Sequence, residues 1–230
     1  MSPLGEAPMK TRTPYLLLAL SVVPMLGGMV RLLRLGGTIA PIADDARFLQ
    51  APLPVLIHIL AAFVYSVIGA FQFDDRLRAR HPAWHRRVGW VSAVAGGLAA
   101  LSGIWMTLRY AIPLAMQGPL LAVARLIVGV TMTASLGLAI AAITRRDVRR
   151  HQAFMIRAYA LGAGAGTQVL LLGIPAIFVG GEITGLLRDG LMVAAWGLNL
   201  AIAEAILARR SGSSRRTRSQ PHDPQASPVA

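Results

Sequence analysis

The sequence predicts an all-α, polytopic membrane bundle of six transmembrane helices. Three observations carry that prediction. Six apolar runs follow one another, each near the ~20 residues a helix needs to cross a ~30 Å hydrocarbon core. Charged residues make up 14% of the 230 residues and hydrophobic ones 55%, where a soluble domain carries about 25% charged. Basic residues cluster in alternate intervals between the runs, which orients the bundle.

The spans are expected at about 15–33, 52–73, 88–108, 119–143, 153–180 and 187–207. Together they form a domain over 14–208, between an N-terminal segment 1–13 and a basic tail 209–230. Span one follows Lys10 and Arg12. A basic start before an apolar run also suits a cleaved leader, but Pro24-Met25-Leu26-Gly27-Gly28 offers no clear small-x-small site. Pro52 or Pro54 opens span two, Pro82 precedes span three and Pro119 opens span four. Proline suits the first helical turn, where its missing N–H leaves no bond unmade. Pro175, inside span five, predicts a kink or an early end there. The tail from Ser211 on is rich in Ser, Pro and Arg without an apolar period, and it is expected to be disordered. His222 lies in it and receives no role.

Charge then sets the sides. Sixteen of the 23 basic residues fall on one side of a six-span arrangement: Lys10 and Arg12, the links 76–87 and 145–150, and the arginines after span six. The opposite side receives Arg31, Arg34, Arg47, Arg109, Arg125 and Arg188, beside Asp44, Asp45, Glu182 and Asp189. One span more or fewer would scramble this division. The positive-inside rule therefore places both termini in the cytoplasm, in a cell (inner) membrane. The arginines on that side are expected to meet anionic lipid headgroups, each contributing about 1 kcal/mol. Their position between apolar runs argues for orientation, with no nucleic-acid partner expected.

Composition also excludes chemistry. The absence of cysteine removes disulfides, thiolate catalysis, Cys-ligated zinc and iron–sulfur clusters. No nucleophile elbow and no H-E-x-x-H motif is present, so hydrolysis is not indicated. Gly162-Ala163-Gly164-Ala165-Gly166 lacks the preceding strand and the spacing of a dinucleotide fingerprint, and reads as helix packing.

Ionisable groups within spans are costly to keep, which makes them the first functional candidates. Four stand out: His58, Arg125, Arg157 and Glu204. His58 and Arg125 each lie about six residues inside the outer start of their helices, roughly 9 Å deep at 1.5 Å per residue. Helical spacing extends His58 into a stripe with Ala62, Tyr65, Gly69 and Gln72, and Arg157 into one with Leu161, Gly164 and Gln168. Ser92, Gly96 and Gly103 on span three allow close backbone approach. A polar intramembrane seam follows, with His58 and Tyr65 at its outer end. Arg157 and Glu204 read first as a buried ion pair and second as a proton relay. For His58 an interhelical hydrogen bond and a ligand role stand level. Arg125 is expected to snorkel to the headgroups or to pair with Asp189.

Three more histidines gather at the cytoplasmic rim: His81 and His85 flanking Pro82, and His151 opening span five. Spacing of four puts two imidazoles on one helical face, where they suit a shared metal. A solvated basic rim is the alternative. Spans two and three also share a scheme with spans four and five, a basic link and a histidine leading into a Gly-rich helix.

The order His58, then His85-Arg86-x-x-Gly89, then His151-x-x-x-Met155-x-Arg157-x-Tyr159-Ala160 resembles a bacterial multi-pass membrane family known as domain of unknown function twenty-three-oh-six. The resemblance covers about residues 58–180. It brings no activity, and it implies that His58, His85, His151 and Arg157 are the positions to test. Many members carry a further arginine along the helix after the last motif, where this chain has Gln168 and Val169. A more distant likeness is to transmembrane cytochromes b. Depth separates His58 from His85 by roughly 20 Å, so those two cannot share a haem, whereas His85 and His151 match in depth and suit haem b.

Three functions remain open on sequence: a binder of a small ligand or lipid in the polar seam, a b-type haem protein passing electrons, and a proton-coupled transporter or assembly factor. Topology is testable at once, because single cysteines report on a cysteine-free chain. Ala40→Cys and Gly181→Cys should react with an impermeant maleimide in intact spheroplasts. Ala79→Cys and Thr144→Cys should react only after permeabilisation, and the reverse pattern would invert the bundle.

Overall fold

The computed structural model describes residues 12–218, with side chains described through Ser211. Its elements are α1 (Thr13–Leu35), α2 (Ala46–Gln50), α3 (Pro52–Phe71), α4 (Asp75–Arg80), α5 (Pro82–Arg109), α6 (Pro119–Thr144), α7 (Val148–Gly162), α8 (Gly164–Val179) and α9 (Gly185–Arg218), with one 3₁₀ turn at Ala43–Asp45. Six segments are long and apolar enough to span a membrane: α1, α3, α5, α6, α7 with α8, and α9 up to Ser211. The six-span membrane fold stands. Pro52, Pro82 and Pro119 each open their helix.

The spans close into a ring. α3 packs on α5, α5 on α6, and α6 on α7 and α9; α8 packs on α9, and α1 closes the circuit against α3 and α8. Large apolar side chains such as Leu98, Ile127, Ile177 and Phe178 point outward, where the bilayer replaces the solvent that would penalise them. Links α3–α5 and α6–α7 lie on the arginine-rich face; segments 36–51, 110–118 and 180–184 lie on the opposite face.

Three boundaries differ from expectation, each for a physical reason. α5 starts at Pro82 rather than Val88. At 28 residues it rises about 42 Å, more than the hydrocarbon core, so its first turn with Trp84, His85 and Arg86 extends past the apolar stretch. α9 continues to Arg218, past the point where an irregular tail was expected, because Ala208, Arg209 and Arg210 favour helix and no proline intervenes before Pro221. Residues 219–230, with His222, lie outside the described residues. Span five breaks at Ala163, while α8 runs through Pro175 to Val179.

Glycine explains that break better than proline does. Residues 162–166 carry three glycines, each weakening helix by about 1 kcal/mol relative to Ala. They are also contact points: a Cβ on Gly164 would run into the Trp196 ring, and one on Gly166 into the Leu20 carbonyl of α1. Gly166 N–H turns back to Ala163 O at 3.1 Å. The side chain of Asn199, on α9, repairs the gap by donating Nδ2–H to the Ala160 carbonyl at 3.1 Å. Thr167 Oγ1–H in turn donates to Asn199 Oδ1 at 2.9 Å. Irregular backbone at membrane depth is tolerated where protein buries it in this way.

The tightest packing lies around two tyrosines. The Tyr65 ring fills the space above Gly96 of α5 and Gly162 of α7, where added Cβ atoms would meet it at 2.6 and 2.7 Å. Tyr159 sits against Gly69 of α3, also at 2.7 Å from such a Cβ, and donates its hydroxyl to Ser66 O at 2.9 Å. The rings touch each other, with centroids 5.4 Å apart. Gly96→Ala and Gly162→Ala should therefore each destabilise the protein by about 1–3 kcal/mol, the usual cost of overpacking. Gly97→Ala, whose Cβ meets nothing within 4 Å, should be neutral or stabilising by up to about 1 kcal/mol. Thermal unfolding in mild detergent compares the three; equal melting temperatures would refute the tyrosine-on-glycine packing.

Candidate functional site

A cavity of about 680 Å³ opens inside the ring, and every span contributes to its wall. Its rim is ionic. Arg31 pairs with Asp45 and, at 3.5 Å, with Asp44; Arg47 meets Asp44 at 2.7 Å. Asp45 is fully buried and accepts the Ile42 N–H at 2.8 Å. Phe48 lies between the guanidinium groups of Arg31 and Arg47, at 4.3 and 4.6 Å from its centroid. Tyr110 packs edge-on against Phe48 and donates its hydroxyl to Ala51 O at 2.6 Å. Burial pushes the Tyr110 phenol ionisation upward, so it stays a donor at physiological pH. Across the rim, Arg188 donates to Met116 O at 3.1 Å and lies 3.5 Å from Glu182.

One level deeper are His58 and Arg125, which both line the cavity. The His58 Nδ1 lies 2.8 Å from the Ala99 carbonyl and 3.2 Å from Ser102 Oγ. A carbonyl only accepts, so Nδ1 carries the proton, and Nε2 of the neutral ring keeps a lone pair. That nitrogen has no partner among the described residues. Arg125 donates to Gln117 Oε1 and makes no ion pair within 4 Å among the described residues.

Asp189 explains why. Sequence pointed to it as a partner for Arg125; the structure engages it elsewhere. It is 1% exposed and accepts from the amides of Gly118 and Leu121, both at 3.2 Å. These are orphan N–H groups at the start of α6, where Gly118 supplies no side-chain cap. A carboxylate there also faces the positive end of the helix dipole. An aspartate from α9 thus caps α6, and Gly118 leaves room for it: a Cβ at that position would lie 2.5 Å from Asp189 Oδ2.

The floor of the cavity is Tyr65 together with the α7–α8 break. The Tyr65 hydroxyl is buried with no partner among the described residues. Gln168, which stands near the place where relatives are expected to carry an arginine, is buried, lines the cavity and donates to Met192 O at 3.2 Å. Five methionines also line the walls: Met25, Met106, Met116, Met132 and Met192.

The remaining candidates lie elsewhere. Arg157 and Glu204 make a two-pronged pair, Nε to Oε1 at 2.6 Å and a terminal nitrogen to Oε2 at 2.9 Å. The pair joins α7 to α9 on the outer surface of the bundle, with side chains 34% and 52% exposed, not in the interior where it was expected. Of the expected stripe, Leu161, Gly164 and Gln168 are buried while Arg157 stays at the surface, so the stripe divides within α7. His85 and His151 lie within electrostatic reach of each other. The ring of His151 donates Nδ1–H to Ala139 O at 3.0 Å. His81 is the exposed N-cap residue of α5. Among the described residues no three of His, Asp and Glu come together as metal ligands, and none of these three histidines lines the cavity.

Residues 55–207, from α3 to α9, match the model of a family described as "predicted membrane protein (DUF2306)". This chain belongs to the DUF2306 family. The match takes in five of the six spans and leaves α1, which closes the ring, outside it. No curated protein and no solved structure matches. Within this DUF2306 chain, sequence reasoning passed over Gln117 and Asn199 and gave Asp189 a different partner. Gln117 holds Arg125, Asp189 caps a neighbouring helix, and Asn199 repairs the broken span. Asn199 was open to detection as an amide within an apolar run, where polar side chains join helices. Removing the cap by Asp189→Ala should cost about 1–2 kcal/mol, while Asp189→Asn, which keeps an acceptor oxygen, should recover part of it. Melting temperatures of the purified variants check this, and a wild-type value for Asp189→Ala would dismiss the cap.

Proposed function

We propose that this DUF2306 chain is a cytoplasmic-membrane protein that binds a small ligand in its intramembrane cavity. Both termini are cytoplasmic in this reading, and the arginine-rich face rests on anionic lipid. The observation that carries it is the cavity itself, which combines size, apolar walls and unsatisfied polar groups. A volume of about 680 Å³ falls within the 300–1,000 Å³ of small-molecule sites, which are mostly apolar with a few converging polar groups. Here those groups are His58 Nε2, Arg125 and the Tyr65 hydroxyl. The Tyr65 hydroxyl is buried without a partner among the described residues, which calls for a water or a ligand, and His58 and Arg125 line the same space.

The arrangement suits binding better than bond-making chemistry. A general base needs an orienting partner and a nucleophile within hydrogen-bond reach. His58 has the first, in the Ala99 carbonyl, but no hydroxyl or carboxylate partners its Nε2 among the described residues. Ala62 faces the cavity from α3, so Ala62→Phe fills the space without removing a polar group. Native mass spectrometry of the protein purified in mild detergent should find a bound small molecule on the wild type and lose it on Ala62→Phe. Identical adducts on both proteins, at equal folded yield, would refute the cavity as the binding site.

A further inference from the structure

The charges around the cavity identify the class of ligand. Every carboxylate at this end of the bundle among the described residues is already engaged. Asp44 holds Arg47 and Arg31, Asp45 holds Arg31 and lies 4.0 Å from Arg34, and Glu182 is beside Arg188. Asp189, the remaining one, faces the amides that open α6. Arg125 is left with the neutral oxygen of Gln117. A guanidinium about two turns below the start of its helix, on the wall of a cavity and without a counter-ion among the described residues, is costly to maintain. It also presents donors in the planar fork that matches a carboxylate or phosphate.

Below Arg125, towards Tyr65, the cavity wall includes Val128 and Met132 of α6 and Met25 of α1, beside Ser66 and Gln168. Unbranched, polarizable methionine side chains adapt to tails of different shape. Met132 is seven residues beyond Arg125 on α6, about 10 Å further along the axis.

We infer that the cavity takes an anionic amphiphile, its acidic head on Arg125 and its alkyl body among the methionines. This deepens, and rests on, the ligand-binding reading of the same cavity. The head belongs at the level of Arg125 and His58, beneath the ionic rim. A free carboxylic acid with one chain and an anionic membrane lipid share this chemistry.

The test uses the full chain in phosphatidylcholine nanodiscs and three probes of equal chain length: laurate, dodecanol and dodecyltrimethylammonium. Laurate should bind at least about tenfold more tightly than dodecanol, the scale of a charge-assisted hydrogen-bond pair, and the cation should bind least. Arg125→Gln should abolish the preference for laurate over dodecanol, while Arg125→Lys, which keeps the charge and guards against a folding artefact, should retain part of it. Adding phosphatidylglycerol distinguishes the sources: competition with laurate assigns the site to a membrane lipid, and undiminished laurate binding assigns it to a free acid, both within the proposal. Equal affinities for laurate and dodecanol on the wild type would overturn the anionic class while leaving the cavity a binding site. Failure of all three probes, with no effect of Ala62→Phe on their signals, would overturn the cavity reading as well.

Discussion

The structure depends on the seating of Tyr65 and Tyr159 on glycines. In a bilayer, lipid tails are as apolar as leucine, so helices do not associate by expelling water; they associate by close van der Waals packing and interhelical hydrogen bonds. Gly69, Gly96 and Gly162 supply surfaces without side chains on α3, α5 and α7, and the two rings fill them. This draws three helices together at the level of Tyr65. Nearer the opposite face α3, α5 and α6 carry His58, Met106 and Arg125, and a cavity opens between them. Close packing at one level and an open space at the next belong to one arrangement: the tyrosines that knit the bundle are also the floor of the site.

Polar groups obey a second constraint, since each one buried in a membrane protein needs a partner. Asn199, Thr167 and Ala160 close the account at the broken span, and Asp189 does so at the start of α6. In both places a side chain from α9 completes the backbone of another helix. That gives α9 a structural role beyond its own apolar length, because its removal would leave amides or carbonyls of α6 and α7 unsatisfied. Outside this matching, the Tyr65 hydroxyl is buried without a partner among the described residues and lines the cavity with His58 and Arg125, whereas Gln72 Nε2 and Ser92 Oγ are unpartnered away from it.

The architecture was legible in the sequence because its causes are local. Apolar length fixed the six spans, prolines fixed three helix starts, and alternate arginine clusters gave a consistent pair of faces. The stripe His58, Ala62, Tyr65, Gly69 was legible for the same reason: a regular helix preserves its period, and α3 is unbroken over that stretch. The stripe beginning at Arg157 divides within α7, before the break: Leu161, Gly164 and Gln168 are buried, whereas Arg157 turns to the surface to meet Glu204 of α9. Proline, the more familiar signal, drew attention to position 175, whereas the break arose from glycines whose purpose is contact with Trp196 and Leu20. Such contacts are long-range and leave no local trace. The role of Asp189 was hidden in the same way, since a carboxylate on one helix gives no sign that it caps another.

This last point bears on why Arg125 stands alone. A carboxylate from α9 reaches the same end of α6, and its charge is felt at Arg125, yet its oxygens are held by two backbone amides. Had Asp189 bridged to the guanidinium, the start of α6 would have lost its cap and Arg125 its free valence. The fold instead divides the work: aspartate completes the helix, and Gln117 positions the arginine without neutralising it. A neutral acceptor fixes orientation while leaving the positive charge available to an incoming anion, which is the combination a site needs when its counter-ion is to arrive from outside the protein.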